Sequence, residues 1–178
     1  AEVDAAARGD IPDLMAKGRF KAAADLLEAL AGRFPLEAGR IGQLRADLRA
    51  RQEEAIRALE AEVDGHIRAG RLDDAQQRIA SVCPLLGPQE GTAARETLTA
   101  RVTAERQERS RIAEKVARSI AAARDHIEAQ RFDAAEAALA LQEAPEDLAA
   151  PLASVRRELW MARAALDEVN NMGQQVDD

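Results

Sequence analysis

His66-Ile67-Arg68-Ala69-Gly70-Arg71-Leu72-Asp73-Asp74-Ala75 is the stretch on which the reading of this chain turns. The residues before Gly70 suit a helix, and Gly70 supplies the left-handed conformation with which helices end. Leu72 then opens a new apolar pattern, with two carboxylates in its first turn where they complement a helix dipole. Ile79 and Val82 continue that pattern up to Pro84, a residue that stops helices. The stretch reads as helix, tight turn, helix.

The same pattern occurs twice more. Lys17-Gly18-Arg19-Phe20-Lys21-Ala22-Ala23 is followed by Leu26, Leu27, Leu30 and Pro35. His126-Ile127-Glu128-Ala129-Gln130-Arg131-Phe132-Asp133-Ala134-Ala135 is followed by Ala138, Leu139, Leu141 and Pro145. The turn positions Gly18, Gly70 and Gln130 stand 52 and then 60 residues apart. Gln130 replaces glycine in the third copy, so its turn is expected to be the least relaxed. Phe20, Leu72 and Phe132 take equivalent places at the start of each second helix and are expected to anchor the core.

These residues resemble the second half of a tetratricopeptide repeat. Gly18, Phe20, Ala23, Leu27 and Pro35 fall where that family has its turn glycine, aromatic, small alanine, large apolar residue and closing proline. The resemblance covers about 18 residues per copy and lacks the Trp and Leu-Gly pair of the family's first helix. It implies a helical hairpin and its packing, without implying a ligand groove.

Composition points the same way. Of 178 residues, 47% are apolar and 32% charged, but only 2% aromatic, and tyrosine is absent. Alanine fills nearly a quarter of the chain. Sheets favour β-branched and aromatic residues, whereas an Ala, Glu, Arg and Leu excess belongs to long helices or coiled coil. The fold class expected is all-α.

Long helical stretches join the hairpins. Ile41, Leu44, Leu48, Ile56, Leu59, Val63 and Ile67 step by three and four, apart from one gap. Leu98, Val102, Ile112, Val116, Ile120, Ala123 and Ile127 do the same. Leu85 to Gly91 is the clearest break between helices, with Thr92 as a plausible N-cap. The gaps, Arg49 to Glu54 and Thr103 to Arg111, hold almost nothing apolar except alanine, and neither contains Gly or Pro. Helix propensity therefore favours continuity through both. Each gap separates a stripe facing the preceding hairpin from one leading into the next.

The architecture this predicts is three consecutive small antiparallel three-helix bundles sharing long continuous helices, an elongated repeat rod. Its units are 1–50, 51–111 and 112–172, with 173–178 as a tail or linker. The sharing of continuous helices is similar to spectrin-like rods.

Raw material for chemistry is scarce: two His, one Cys and four Ser. His66 and His126 share a repeat position, which raises paired metal ligands or a pH switch as a reading. Zinc needs more ligands than the neighbourhood of either histidine supplies, so a structural role near a helix end is expected. Cys83, between Val82 and Pro84, reads as a buried small hydrophobe rather than a nucleophile. The adjacent pairs Glu53-Glu54, Asp73-Asp74 and Asp177-Asp178 diverge by about 100° on a helix and do not converge on one atom. No phosphate-binding glycine loop, nucleophile elbow or His-Glu-x-x-His pattern is present. The expectation is a protein without enzymatic activity, cofactor or metal.

Net charge is −7, which works against general nucleic-acid binding. No apolar run approaches the roughly 18 to 20 residues of a membrane span. The chain opens on Ala1, and is read as having lost a leader or as cut from a longer protein, with the cytoplasm as the expected compartment. Residues 132–178 hold three basic and ten acidic residues, so an acidic end could meet a basic partner or associate head to tail.

The last helix carries a seam at Leu148, Leu152, Val155, Leu159, Ala162, Leu166 and Val169. Trp160 falls one position off it, close to Arg156, Arg157, Arg163 and Ala164. Trp and Arg are enriched in interface hot spots, so Trp160, Arg156 and Arg163 are the candidate partner contacts. The alternative is that Trp160 widens the core of the third bundle. The function expected is a helical-repeat scaffold or spacer for protein–protein interaction, with a protein partner, other domains of the same parent, or self-association. The alternative is a regulatory or substrate-positioning domain attached to a catalytic domain elsewhere.

Overall fold

The computed structural model describes residues 2–140 and 146–174, with side chains described for 2–140 and 149–168. Leu141, Pro145 and the end of the tail lie outside these residues, as do the side chains of Leu148 and Val169. All regular structure among the described residues is helical. In order it comprises α1 (Glu2–Arg8), α2 (Asp10–Ala16), α3 (Phe20–Arg33), a 3-10 turn (Pro35–Glu37), α4 (Ala38–Arg68), α5 (Leu72–Leu86), α6 (Pro88–Glu128), α7 (Phe132–Leu139) and α8 (Glu146–Gln174). The chain is all-α.

The three repeated turns share one construction. Gly18, Gly70 and Gln130 have φ of 68°, 74° and 56°. In each turn two amide groups reach back to carbonyls of the helix just ended. Gly18 N donates to Met15 O at 3.0 Å and Arg19 N to Leu14 O at 2.8 Å. Gly70 and Arg71 repeat this onto Ile67 and His66, and Gln130 and Arg131 onto Ile127 and His126. This paired pattern satisfies helix-end carbonyls that have no partner of their own. A left-handed residue with a Cβ costs about 1 kcal/mol, and Gln130 alone of the three carries that cost.

Side chains at fixed offsets from the turns meet in the hairpins. Seven residues before stand Ile11, Val63 and Ala123; five after, Ala23, Ala75 and Ala135; nine after, Leu27, Ile79 and Leu139. All nine are buried. The alanines let the two helices of a hairpin approach closely, and the larger residues fill the space above them. Phe20 and Leu72 are buried as expected, whereas Phe132 is half-buried.

The helices run through both polar gaps, since α4 and α6 are each unbroken. Pro84 does not end α5: that helix continues to Leu86, and Gly87 with φ of 122° breaks the chain instead. Pro88 then begins α6, where its missing N–H is no loss. Thr92 is not an N-cap but lies inside α6, its Oγ1 donating to Pro88 O at 2.6 Å.

Contacts group the chain into two compact units, Ala1–Arg106 and Gln107–Asp178, where the sequence reading draws three. The division falls inside the polar stretch Thr103–Arg111. Arg49–Glu54 marks no such division, because one buried core extends from Val3 to Val102. Gln52 explains this. It is only 5% exposed, and its Nε2 donates to Leu86 O at 2.6 Å. Leu86 ends α5, so that carbonyl has no intrahelical partner. The polar break in the α4 stripe is thus a side chain capping a neighbouring helix.

The second unit has a smaller core of Val116, Ala123, Ala135, Leu139, Leu152 and Val155, with Ile112, Ile120, Ile127, Ala138 and Leu159 packed around it. Ion pairs run between helices at matching places in the two units. Arg106 meets Asp73 at 2.6 Å in the first, and Arg163 meets Asp133 at 3.5 Å in the second, each aspartate three residues after a turn. Arg101 pairs with Asp64, and in the second unit Glu158 pairs with Arg124 at 3.2 Å, the same positions with the charges exchanged. These pairs are exposed and worth at most about 1 kcal/mol each. They fix register more than stability.

Candidate docking site

On α8 the seam turns inward. Leu152 and Val155 are buried and Leu159 packs against them. Each helical residue advances by about 100°, so the side chain after Leu159 swings away from the core. Trp160 accordingly stands 71% exposed, with Met161 also exposed beside it.

A groove of ≈ 460 Å³ runs alongside the indole. Glu136, Leu139 and Ala140 line it from the α7 side, and Arg156, Leu159, Trp160 and Arg163 line it from α8. The three candidate contact residues therefore share one concave surface. Arg156 Nη2 donates to Leu139 O at 3.2 Å, capping the last carbonyl of α7. Arg163 reaches back over α7, 3.5 Å from Asp133 and 3.7 Å from Glu136. The arginines lie one helical turn before and after Trp160, and these contacts hold both stems against α7 on either side of the ring. The site offers an apolar ring, apolar walls and guanidinium groups at the rim. It suits an apolar anchor with an accompanying acidic or carbonyl group.

The other polar candidates do not line this groove. His66 and His126 are half-buried, and each Nδ1 is buried without a hydrogen-bond partner. No group of three or more His, Cys, Asp or Glu that could hold a metal ion occurs among the described residues. Glu62, one turn before His66, is taken by Arg78 at 2.5 Å. The hydrogen bond from that guanidinium holds the Glu62 carboxyl below the usual carboxylate range, with a smaller pull from His66. Cys83 is buried, and burial pushes its thiol up despite the opposing influence of Arg95. A thiol held in that state is a poor nucleophile. Asp73 and Asp74 lie in the first turn of α5, as the sequence reading has them.

Two features escaped the sequence reading. Met161 extends the exposed apolar surface around Trp160, and its place beside that residue was the available signal. Gln52 left no such signal, since a polar residue in a polar run reads as solvated. Among the described residues no helix is long and apolar enough to cross a membrane. No family model, curated protein or solved structure matches the chain significantly.

Proposed function

We propose that this chain is a non-enzymatic helical-repeat scaffold that binds a protein partner through the groove at Trp160. The observation that carries the reading is the exposure of Trp160 between two arginines already fixed against α7. A large indole left in water gains little where it stands, whereas Trp and Arg dominate the energetics of protein interfaces. The repeated hairpins support the scaffold part of the reading, in which a helical hairpin recurs along the chain and its third copy carries the groove. Equivalent turns, equivalent buried positions and equivalent ion pairs all favour that arrangement.

Trp160→Ala tests the reading through stability. An exposed contact residue contributes nothing to the core, so the change in unfolding free energy is expected to stay within about 0.5 kcal/mol. Chemical denaturation followed by far-ultraviolet circular dichroism measures it. A loss of about 3 kcal/mol or more, the size expected for a buried tryptophan, would place the indole in the core and end the proposal.

A further inference from the structure

In the first unit, α3, α5 and α6 enclose a cavity of ≈ 270 Å³. Pro84, Gly87 and Pro88 line it where α5 gives way to α6, and the buried Cys83 lies beside them. Lys21 enters from the start of α3, and Arg95 from α6. Both are exposed, so the cavity has a wet, cationic mouth. Arg95 stands close enough to Cys83 for its charge to act on the thiol against the effect of burial.

Charge sets this cavity apart from the grooves. The groove between α2 and α4 holds Arg51 and Glu54, joined at 2.9 Å. The groove between α3 and α4 holds Arg45 and Glu28, joined at 2.8 Å. At Trp160, Arg163 has Glu136 at 3.7 Å. In each, a carboxylate on the wall answers the cation. No carboxylate lines the Lys21–Arg95 cavity, and neither cation forms an ion pair among the described residues. Glu90, on the adjoining turn, lines the α3–α4 groove instead. Two positive charges over one small cavity repel, and an anion between them removes the repulsion.

We propose that this cavity binds a phosphate group, with Lys21 and Arg95 as its cationic contacts. A phosphate monoester carries a charge of about −1.5 to −2 near neutral pH, which two cations match, whereas a carboxylate supplies a single charge. Arginine offers a planar fork of donors and lysine a mobile point charge, the two side chains with which proteins hold phosphate. The volume equals that of on the order of nine water molecules, room for a phosphate and a short substituent. The site belongs to the first unit, and the inference does not rest on the docking function proposed above.

Amide NMR titration of the full chain with inorganic phosphate, near neutral pH and at fixed ionic strength, tests the site. Saturable shifts are expected at Lys21 and over Gly87–Arg95. Acetate, with one charge, is expected to bind at least about tenfold more weakly. Lys21→Gln and Arg95→Gln are each expected to weaken phosphate binding about tenfold, as for loss of a hydrogen bond to a charged group, with helix content by circular dichroism unchanged. Arg49→Gln, at an exposed arginine of the α3–α4 groove, is expected to leave binding as it was. A phosphoserine peptide separates the two sources of the group. Tighter binding than inorganic phosphate points to a phosphorylated side chain of a partner, and equal or weaker binding to a small phosphate compound. The inference is overturned by the absence of saturable binding, by acetate binding as tightly as phosphate, or by an equal loss in Arg49→Gln. Binding that survives in the double variant Lys21→Gln, Arg95→Gln overturns it as well.

Discussion

Replacing Leu139 by alanine is expected to unfold the second unit and leave the first folded. Leu139 is buried at the position nine residues after the third turn, and its core has six buried apolar residues among the described residues. A large-to-small change at such a site costs about 2–5 kcal/mol. A core in a unit of this size rarely supplies more than about 3–5 kcal/mol, so the loss consumes most or all of its stability. Hydrogen exchange followed by mass spectrometry reads the outcome directly: amides of 112–128 and 149–166 lose protection, and those of 20–33 and 41–86 keep it. Leu27→Ala is the matched control. It sits at the same offset from its turn but in the extended core from Val3 to Val102, and that larger core is expected to survive with reduced stability. Retained protection in the second unit of Leu139→Ala would contradict this account of its core.

Gly91→Ala is expected to destabilise the chain by about 3 kcal/mol, the upper end of ordinary overpacking. A Cβ on Gly91 would lie 2.2 Å from the backbone carbonyl oxygen of Cys83. The obstacle is backbone rather than a flexible side chain, so α5 and the start of α6 must separate to admit a methyl group. Separation would also disturb the seating of Leu86, whose carbonyl Gln52 caps. Glycines 39, 42 and 65 within α4 provide the contrast, since a Cβ at any of them meets nothing within 4 Å. Alanine at these positions is expected to stabilise by about 0.5–1 kcal/mol through the unfolded chain and helix propensity. Denaturant midpoints at constant slope separate the two classes. A neutral Gly91→Ala would mean that the helices are not in close contact at that point.

Much of the fold was legible because it is written three times. Gly18, Gly70 and Gln130 each fall at a change in apolar pattern, and local chemistry alone explains why the chain turns there. The buried residues seven before and five and nine after each turn follow from helical spacing. Features that depend on distant partners were not legible. Gln52 is buried only because Leu86, 34 residues on, presents an orphan carbonyl to it. Arg101 and Arg106 are held by Asp64 and Asp73 on two other helices, and no local rule couples those positions. Pro84 illustrates the reverse failure. Local chemistry marks it as a stop, yet α5 continues for two residues past it.

The candidate site was half legible. Trp160 lies off the α8 seam in sequence, and exposure follows from that displacement. The groove beside it was not visible, because it needs α7 to end where Leu139 offers its carbonyl to Arg156. Chain direction in the third hairpin, rather than any motif, assembles the surface.

Steady-state fluorescence of the chain's single tryptophan, recorded at a concentration where the chain is monomeric, tests the docking site most directly. The account predicts red-shifted emission that acrylamide quenches readily, as for an indole in water. Blue-shifted emission resistant to acrylamide in a demonstrated monomer would mean that Trp160 is covered by its own chain, and would contradict the account.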